Sequence, residues 1–211
     1  MLFRSQIVLN VALRLLRLLA KSDVKPAMVA DHGMGQRDAE VVVAAGAMLH
    51  DVGMSIHRAD HEAYSLFLAA NHLDTLLAGV YEEPERTIVA SEILHAIIGH
   101  RSNGRPLTIE AGVVRVADAL DMEHGRSRAS LESHLANIHS LSAAAIDEVR
   151  IVEGESRTIR VEVEMNNSAG VFQVDELLAR KLRGSGLETH IEVVAEIQAE
   201  QEKRLFTIYR I

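Results

Sequence analysis

A chain of 211 residues that is 48% hydrophobic and 25% charged is by composition neither disordered nor a membrane protein, and it is long enough for one full domain and a smaller second one. Its net charge of −8 argues against a dedicated nucleic-acid binder, because gripping a phosphate backbone draws on clustered Lys and Arg. Cysteine is absent, which excludes disulfides and thiolate metal sites and leaves His, Asp and Glu as the strong ligand types.

The first predicted element is a helix from about Ser5 to Lys21. Ile7, Val8, Val11, Ala12, Leu15, Leu16, Leu18 and Leu19 recur at helical spacing, with Arg14, Arg17 and Lys21 falling between them. Asn10, Arg14 and Arg17 interrupt the run and no small-residue cleavage site follows it, so the segment is read as neither a signal peptide nor a span, and a cytoplasmic location is expected. A second helix starts after Gly35-Gln36-Arg37, where Asp38 can cap the first turn, and continues to His50. A third covers roughly Asp60 to Leu77, a fourth runs from Pro84 to about His100, and a fifth covers Thr108 to Asp121.

After about Ala145 the period changes. Val149 to Val152 and Thr158 to Met165 alternate apolar with charged residues around the turn-like Glu153-Gly154-Glu155-Ser156, which reads as a hairpin. Val174 to Leu182 returns to helical spacing, and His190 to Ile197 and Arg204 to Ile211 read as two more strands. The predicted fold class is α+β, with an all-helical domain over residues 1–145 followed by a small β-β-α-β-β domain over residues 146–211.

Chemistry concentrates in the helical part. His50 and Asp51 sit where an apolar helical run breaks at Val52-Gly53, and Asp118 lies inside a second apolar run, Val113 to Leu120. An imidazole beside a carboxylate, completed by a distant carboxylate, suits a divalent transition metal, with Mn, Fe, Co, Ni or Zn favoured over Ca. A lone His-Asp pair at a helix end is more often a cap or a surface pair. The surrounding series sharpens the reading: Ala-Met-Leu-His50-Asp51-Val-Gly-Met, then His61-Glu62 opening the next helix, then Ala-Ile-Ile-Gly-His100, then Val-Ala-Asp118-Ala-Leu-Asp121.

In that order these motifs resemble the HD superfamily of metal-dependent phosphohydrolases, over about residues 5 to 130. The resemblance implies a metal set of His50, Asp51 and Asp118, with His61 and His100 matching the histidines that bind a second ion, so that one or two divalent ions are expected. It casts Asp51 as the ligand that bridges them and acts in catalysis, metal-activated water being the nucleophile. The expected substrate is a nucleotide or another small phosphate ester; no nucleic acid and no membrane partner is expected. A non-catalytic metal or nucleotide sensor with a degraded site is the rival reading.

The family pattern opens with a histidine near the start of the first helix, and here Arg4 occupies that place. Either the true start lies upstream and carries the histidine, or that ligand has been lost and one ion binds weakly or not at all. His32, the only histidine of the sequence ahead of His50, is expected at the wrong end of the second helix, as a loop residue. Arg58 and Arg101 are candidate phosphate contacts, against the plainer role of solvated helix-end arginines. Arg126 and Arg128 are weaker candidates. His95 and Asp121 are expected behind the ligands, orienting them, or else as core and cap residues. For the tail, a homodimer surface, a small-ligand module and simple packing on the helical domain stay open.

Overall fold

A computed structural model describes residues 2–122 and 142–197. The chain folds as two compact units, one of residues 1–121 with 181–189 and one of residues 122–180 with 190–211. The fold is α+β. The predicted strand from Arg204 to Ile211 lies outside the described residues, as do Arg126 and Arg128.

The first unit is helical. Helix α1 spans Leu2–Lys21, and its buried face is Val8, Ala12, Leu15, Leu16 and Leu19, the spacing of one helical stripe. This stripe packs on α3, Gln36–Leu49, and α6, Ile109–Leu120. Between α1 and α3 lies a short helix that periodicity did not reveal, α2, Ala27–Ala30. Its first amides, Ala27 N and Met28 N, donate to the two carboxylate oxygens of Glu110 at 3.0 and 2.9 Å. A fully buried carboxylate on α6 thus satisfies the open amides of a helix distant in sequence. At the start of α3, Asp38 accepts the Gly35 N–H at 2.7 Å.

Helices α4, His61–Leu77, and α5, Glu85–Gly99, complete the bundle. Helix α5 packs on α3, α4 and α6. Helices α3 and α5 approach closely at Gly46, where a Cβ would lie 2.9 Å from Ala96 Cβ. Helix α6 is buried from Glu110 to Leu120, charged residues included. Arg115 lies on it and satisfies backbone carbonyls: Nε donates to Lys181 O at 2.8 Å, one terminal nitrogen to Gly99 O and Arg101 O, and the other to Ser102 O at 3.0 Å. The segment 181–189 lies so close to α6 that a Cβ on Gly112 would meet Ser185 O at 2.2 Å. No described helix is long and apolar enough to cross a membrane.

The second unit holds a three-stranded sheet, β1 Ile146–Glu153, β2 Ile159–Met165 and β3 Ile191–Ile197, in the order β1-β2-β3. Strands β1 and β2 are antiparallel, with Ile151 opposite Val161, and β3 joins β2 in parallel, with Val161 opposite Val193. Strand β2 buries Ile159, Val161, Val163 and Met165 in strict alternation. Between β2 and β3 the backbone winds through a π-helical stretch, Gln173–Ala179, and a last turn, Arg180–Leu182.

Candidate metal centre

Helix α3 ends at Leu49, and the chain turns through His50 and Asp51 into a 3-10 turn, Val52–Ser55. Helix α4 holds this turn from outside. The Ser65 hydroxyl donates to His50 O at 2.7 Å and accepts the Gly53 N–H at 2.9 Å. Gly53 is required by contact distance, because a Cβ there would lie 2.1 Å from His61 O and 2.5 Å from Ser65 N. The start of α4, and with it His61, is thereby seated against His50 and Asp51.

Three imidazoles are aimed inward by the same device. Nδ1 of His50 donates to Ala47 O at 2.7 Å, Nδ1 of His61 to Arg58 O at 3.0 Å, and Nδ1 of His100 to Ile97 O at 2.5 Å. Each ring so anchored directs Nε2 into the cluster, the way a backbone carbonyl orients ligating histidines. The rings of His50 and His100 meet edge to face at 4.9 Å, and those of His61 and His100 lie 5.5 Å apart.

Asp51 divides the cluster. Its Oδ1 faces His61 Nε2 at 3.1 Å and His100 Nε2 at 3.9 Å, and the two nitrogens are 3.4 Å apart. One ligand atom from each of Asp51, His61 and His100 falls within 4.8 Å of the others. Two imidazole nitrogens and a carboxylate oxygen with lone pairs converging are a donor set suited to a divalent transition ion. The other oxygen, Oδ2, faces His50 Nε2 at 3.5 Å, and Asp118 Oδ1 stands 3.5 Å from that same nitrogen. His50 and Asp51, at the end of α3, thus meet Asp118, 67 residues after Asp51 and near the end of α6.

Two cations that the motif does not contain stand on these carboxylates. The Arg4 guanidinium reaches Asp51 Oδ2 at 3.5 Å, Asp118 Oδ1 at 3.2 Å and Asp121 Oδ2 at 3.2 Å. The first two are ordinary ion-pair or hydrogen-bond contacts; the Nε contact to Asp121 is close but out of hydrogen-bond alignment. The Lys181 ammonium contacts the second oxygen of Asp118.

The electrostatics follow this division. Burial works to raise Asp118, but Lys181 and His50 hold it well below its ordinary value of 3.8. Asp51 is likewise lowered, His50 and Arg4 outweighing burial. Burial works to lower His50, but Asp118 and Asp51 overcome it and raise the imidazole to about 9. His100 is depressed, chiefly by burial and further by Lys181 and His50, so it stays neutral with its lone pair available.

The remaining expected residues fall around this core. Arg58 and Arg101 line a cleft of about 550 Å³ that His61 also lines, together with Arg105, Ser102 and Asn103. Arg101 lies 3.5 Å from Asp60 Oδ1. His95 lines the same cleft and accepts the Leu107 N–H at 3.0 Å, bracing the loop ahead of α6. Asp121 faces Arg4. His32 lies 3.4 Å from Glu92 Oε1. Residue by residue, sequence reasoning missed Lys181, and it registered Arg4 only as the substitute for a histidine.

A family model for the HD domain matches residues 8–123. The chain is 40% identical over 202 residues to the uncharacterized protein MJ1020 of Methanocaldococcus jannaschii, a match covering 96% of this chain and 77% of that one. It is 28% identical over 148 residues to ribonuclease Y of Desulforamulus reducens, covering 69% of this chain and 26% of the relative. To ribonuclease Y of Thermotoga maritima it is 31% identical over 145 residues, covering 65% and 24%. The chain therefore spans about a quarter of the length of these ribonuclease Y relatives.

Proposed function

This chain belongs to the HD domain family, and from that premise we propose that it is a metal-dependent phosphohydrolase acting on a nucleotide or another small phosphate ester. The observation that carries the reading is the double position of His61. Its Nε2 converges with His100 and Asp51, and its ring also lines the arginine-bearing cleft. Asp51, His61 and His100 would hold a divalent ion, which would supply Lewis-acid polarisation of a phosphoryl oxygen and lower the pKa of water toward neutrality.

The chain's own residues do the rest. Arg58, Arg101 and Arg105 offer planar, permanently charged donors that grip phosphate oxygens in pairs. A volume of about 550 Å³ admits a ligand of nucleotide size. The backbone anchors on His61 and His100 keep their rings from swinging away when a substrate enters.

The test is hydrolysis of a panel of nucleotides and generic phosphate mono- and diesters, with Mn, Fe, Co or Ni added to chelator-treated protein. A ribonucleotide diester belongs in that panel, since proteins named ribonuclease Y share part of this sequence. Expected is turnover that chelator abolishes and that His61→Ala and His100→Ala each lose. A second reading, a non-catalytic metal or nucleotide sensor, draws support from Arg4 standing on the carboxylates. Ligand binding without turnover on any substrate and any metal would select it.

A further inference from the structure

The two oxygens of Asp51 lead into two unlike half-sites. On the Oδ1 side the partners are two backbone-anchored imidazoles with Nε2 directed inward. On the Oδ2 side the atoms that would converge on an ion are His50 Nε2, Asp51 Oδ2 and Asp118 Oδ1, and the Arg4 guanidinium stands on the same two oxygens. Asp118 turns its other oxygen to Lys181.

We propose that this protein holds a single divalent ion, between Asp51 Oδ1, His61 and His100, and that Arg4, seconded by Lys181, takes the place of a second ion on the other oxygen of Asp51. The inference rests on the metal-binding part of the reading above and goes beyond it in the number and position of the ion.

Charge and geometry both favour this arrangement. Arg4 and Lys181 bring two fixed positive charges to the carboxylates of Asp51, Asp118 and Asp121. An ion ligated by His50, Asp51 Oδ2 and Asp118 would sit at about 2.0–2.2 Å from each donor, between oxygens that already face a guanidinium, and it would meet like charge from two sides. The Oδ1 half offers the opposite situation, with two imidazole nitrogens and a shared carboxylate oxygen, the Arg4 contact falling on Oδ2 instead. A guanidinium also supplies its charge with no dependence on metal supply, and its flat fork can lie along the oxygens of two carboxylates.

The deciding measurement is the number of ions per chain. Full-length protein is stripped with chelator, equilibrated with Mn(II), and read by elemental analysis and by electron paramagnetic resonance. The expected result is one ion per chain with the hyperfine pattern of an isolated Mn(II), lost in His61→Ala and in His100→Ala and kept in His50→Gln. Arg4→His, which restores an imidazole on α1, is expected to admit a second ion and give a spin-coupled spectrum. Two ions in the wild-type protein overturn the proposal, as does an ion kept by both His61→Ala and His100→Ala but lost in His50→Gln. A folded Arg4→His protein that still holds one ion overturns the role given to Arg4. If that variant does not fold, the wild-type count decides. Two ions with turnover leave the phosphohydrolase reading standing, whereas no bound ion at all overturns both.

Discussion

The Ser65 hydroxyl donates to the carbonyl of His50 at 2.7 Å while it accepts the Gly53 N–H at 2.9 Å. One buried side chain on α4 therefore satisfies two backbone groups of the turn that carries His50 and Asp51. Ser65→Ala leaves both without that partner, and a loss of about 1–3 kcal/mol of stability is expected. Urea unfolding of the metal-free protein measures it, and a change within about 0.5 kcal/mol would mean that the turn does not depend on this hydroxyl.

His95 and His100 lie on one helix but have different partners. His100 points Nε2 at the cluster, whereas His95 accepts from Leu107 N in the loop before α6. Since even residues behind a ligand change metal affinity by about 10–100-fold, His100→Ala is expected to weaken Mn(II) or Co(II) binding by at least about 100-fold. His95→Ala is expected to cost about 1 kcal/mol of stability and leave the metal isotherm close to wild type. Calorimetric titration of the two variants side by side checks the contrast.

How much of this was legible in the sequence depends on the kind of signal. Helices α1, α3, α4, α5 and α6 announced themselves through helical periodicity and through Pro84 and Gly35, to within a few residues. Strand β2 was legible because its burial alternates strictly, whereas only Val149 to Val152 of β1 was read, the irregularity between Ile146 and Glu148 breaking its alternation. The meeting of His50 and Asp51 with Asp118 could be expected because charged residues in apolar helices need partners, whereas the place of His61 and His100 beside them followed from the resemblance to the HD superfamily. Glu110, Arg115 and Lys181 carried no such sign. Each meets a partner distant in sequence: Glu110 the amides of α2, Arg115 the carbonyls after α5, Lys181 the Asp118 carboxylate. A charged residue whose partner is a distant backbone group looks the same in sequence as one bound for solvent.

Stability of the metal-free protein should depend on pH on both sides of neutrality. His100 is depressed below its ordinary 6.5, so under acid the unfolded chain takes up a proton that the folded chain refuses, and stability falls as pH drops below 6.5. His50 is raised to about 9, so its contribution is complete below 6.5 and disappears as pH rises through about 9. The maximum is expected near pH 6.5, and His50→Gln should flatten the alkaline limb. Urea midpoints measured in chelator from about pH 4 to about pH 10 give the curve. A wild-type midpoint that holds constant through the alkaline limb contradicts the sign assigned to His50.

The cleft arginines should separate binding from chemistry. Replacing Arg58, Arg101 or Arg105 by Ala removes a charged donor from the cleft wall, and KM for a phosphate ester is expected to rise by about tenfold to a hundredfold. The number of bound Mn(II) ions should not change. Steady-state kinetics with metal counting tests this, and a fall in kcat at unchanged KM would place these side chains in the reaction itself.

Lys181 reaches Asp118 from a stretch of chain that follows β2, and that stretch is clasped to α6 by the absent side chain of Gly112 and by the Arg115 guanidinium. Ending a recombinant fragment where the helices end would thus silently delete one of the site's two positive charges. Proteolytic nicking after residue 121, by contrast, could leave that charge docked. Dissection of this protein by gene truncation and by limited digestion should accordingly yield helical pieces with different affinities for cations.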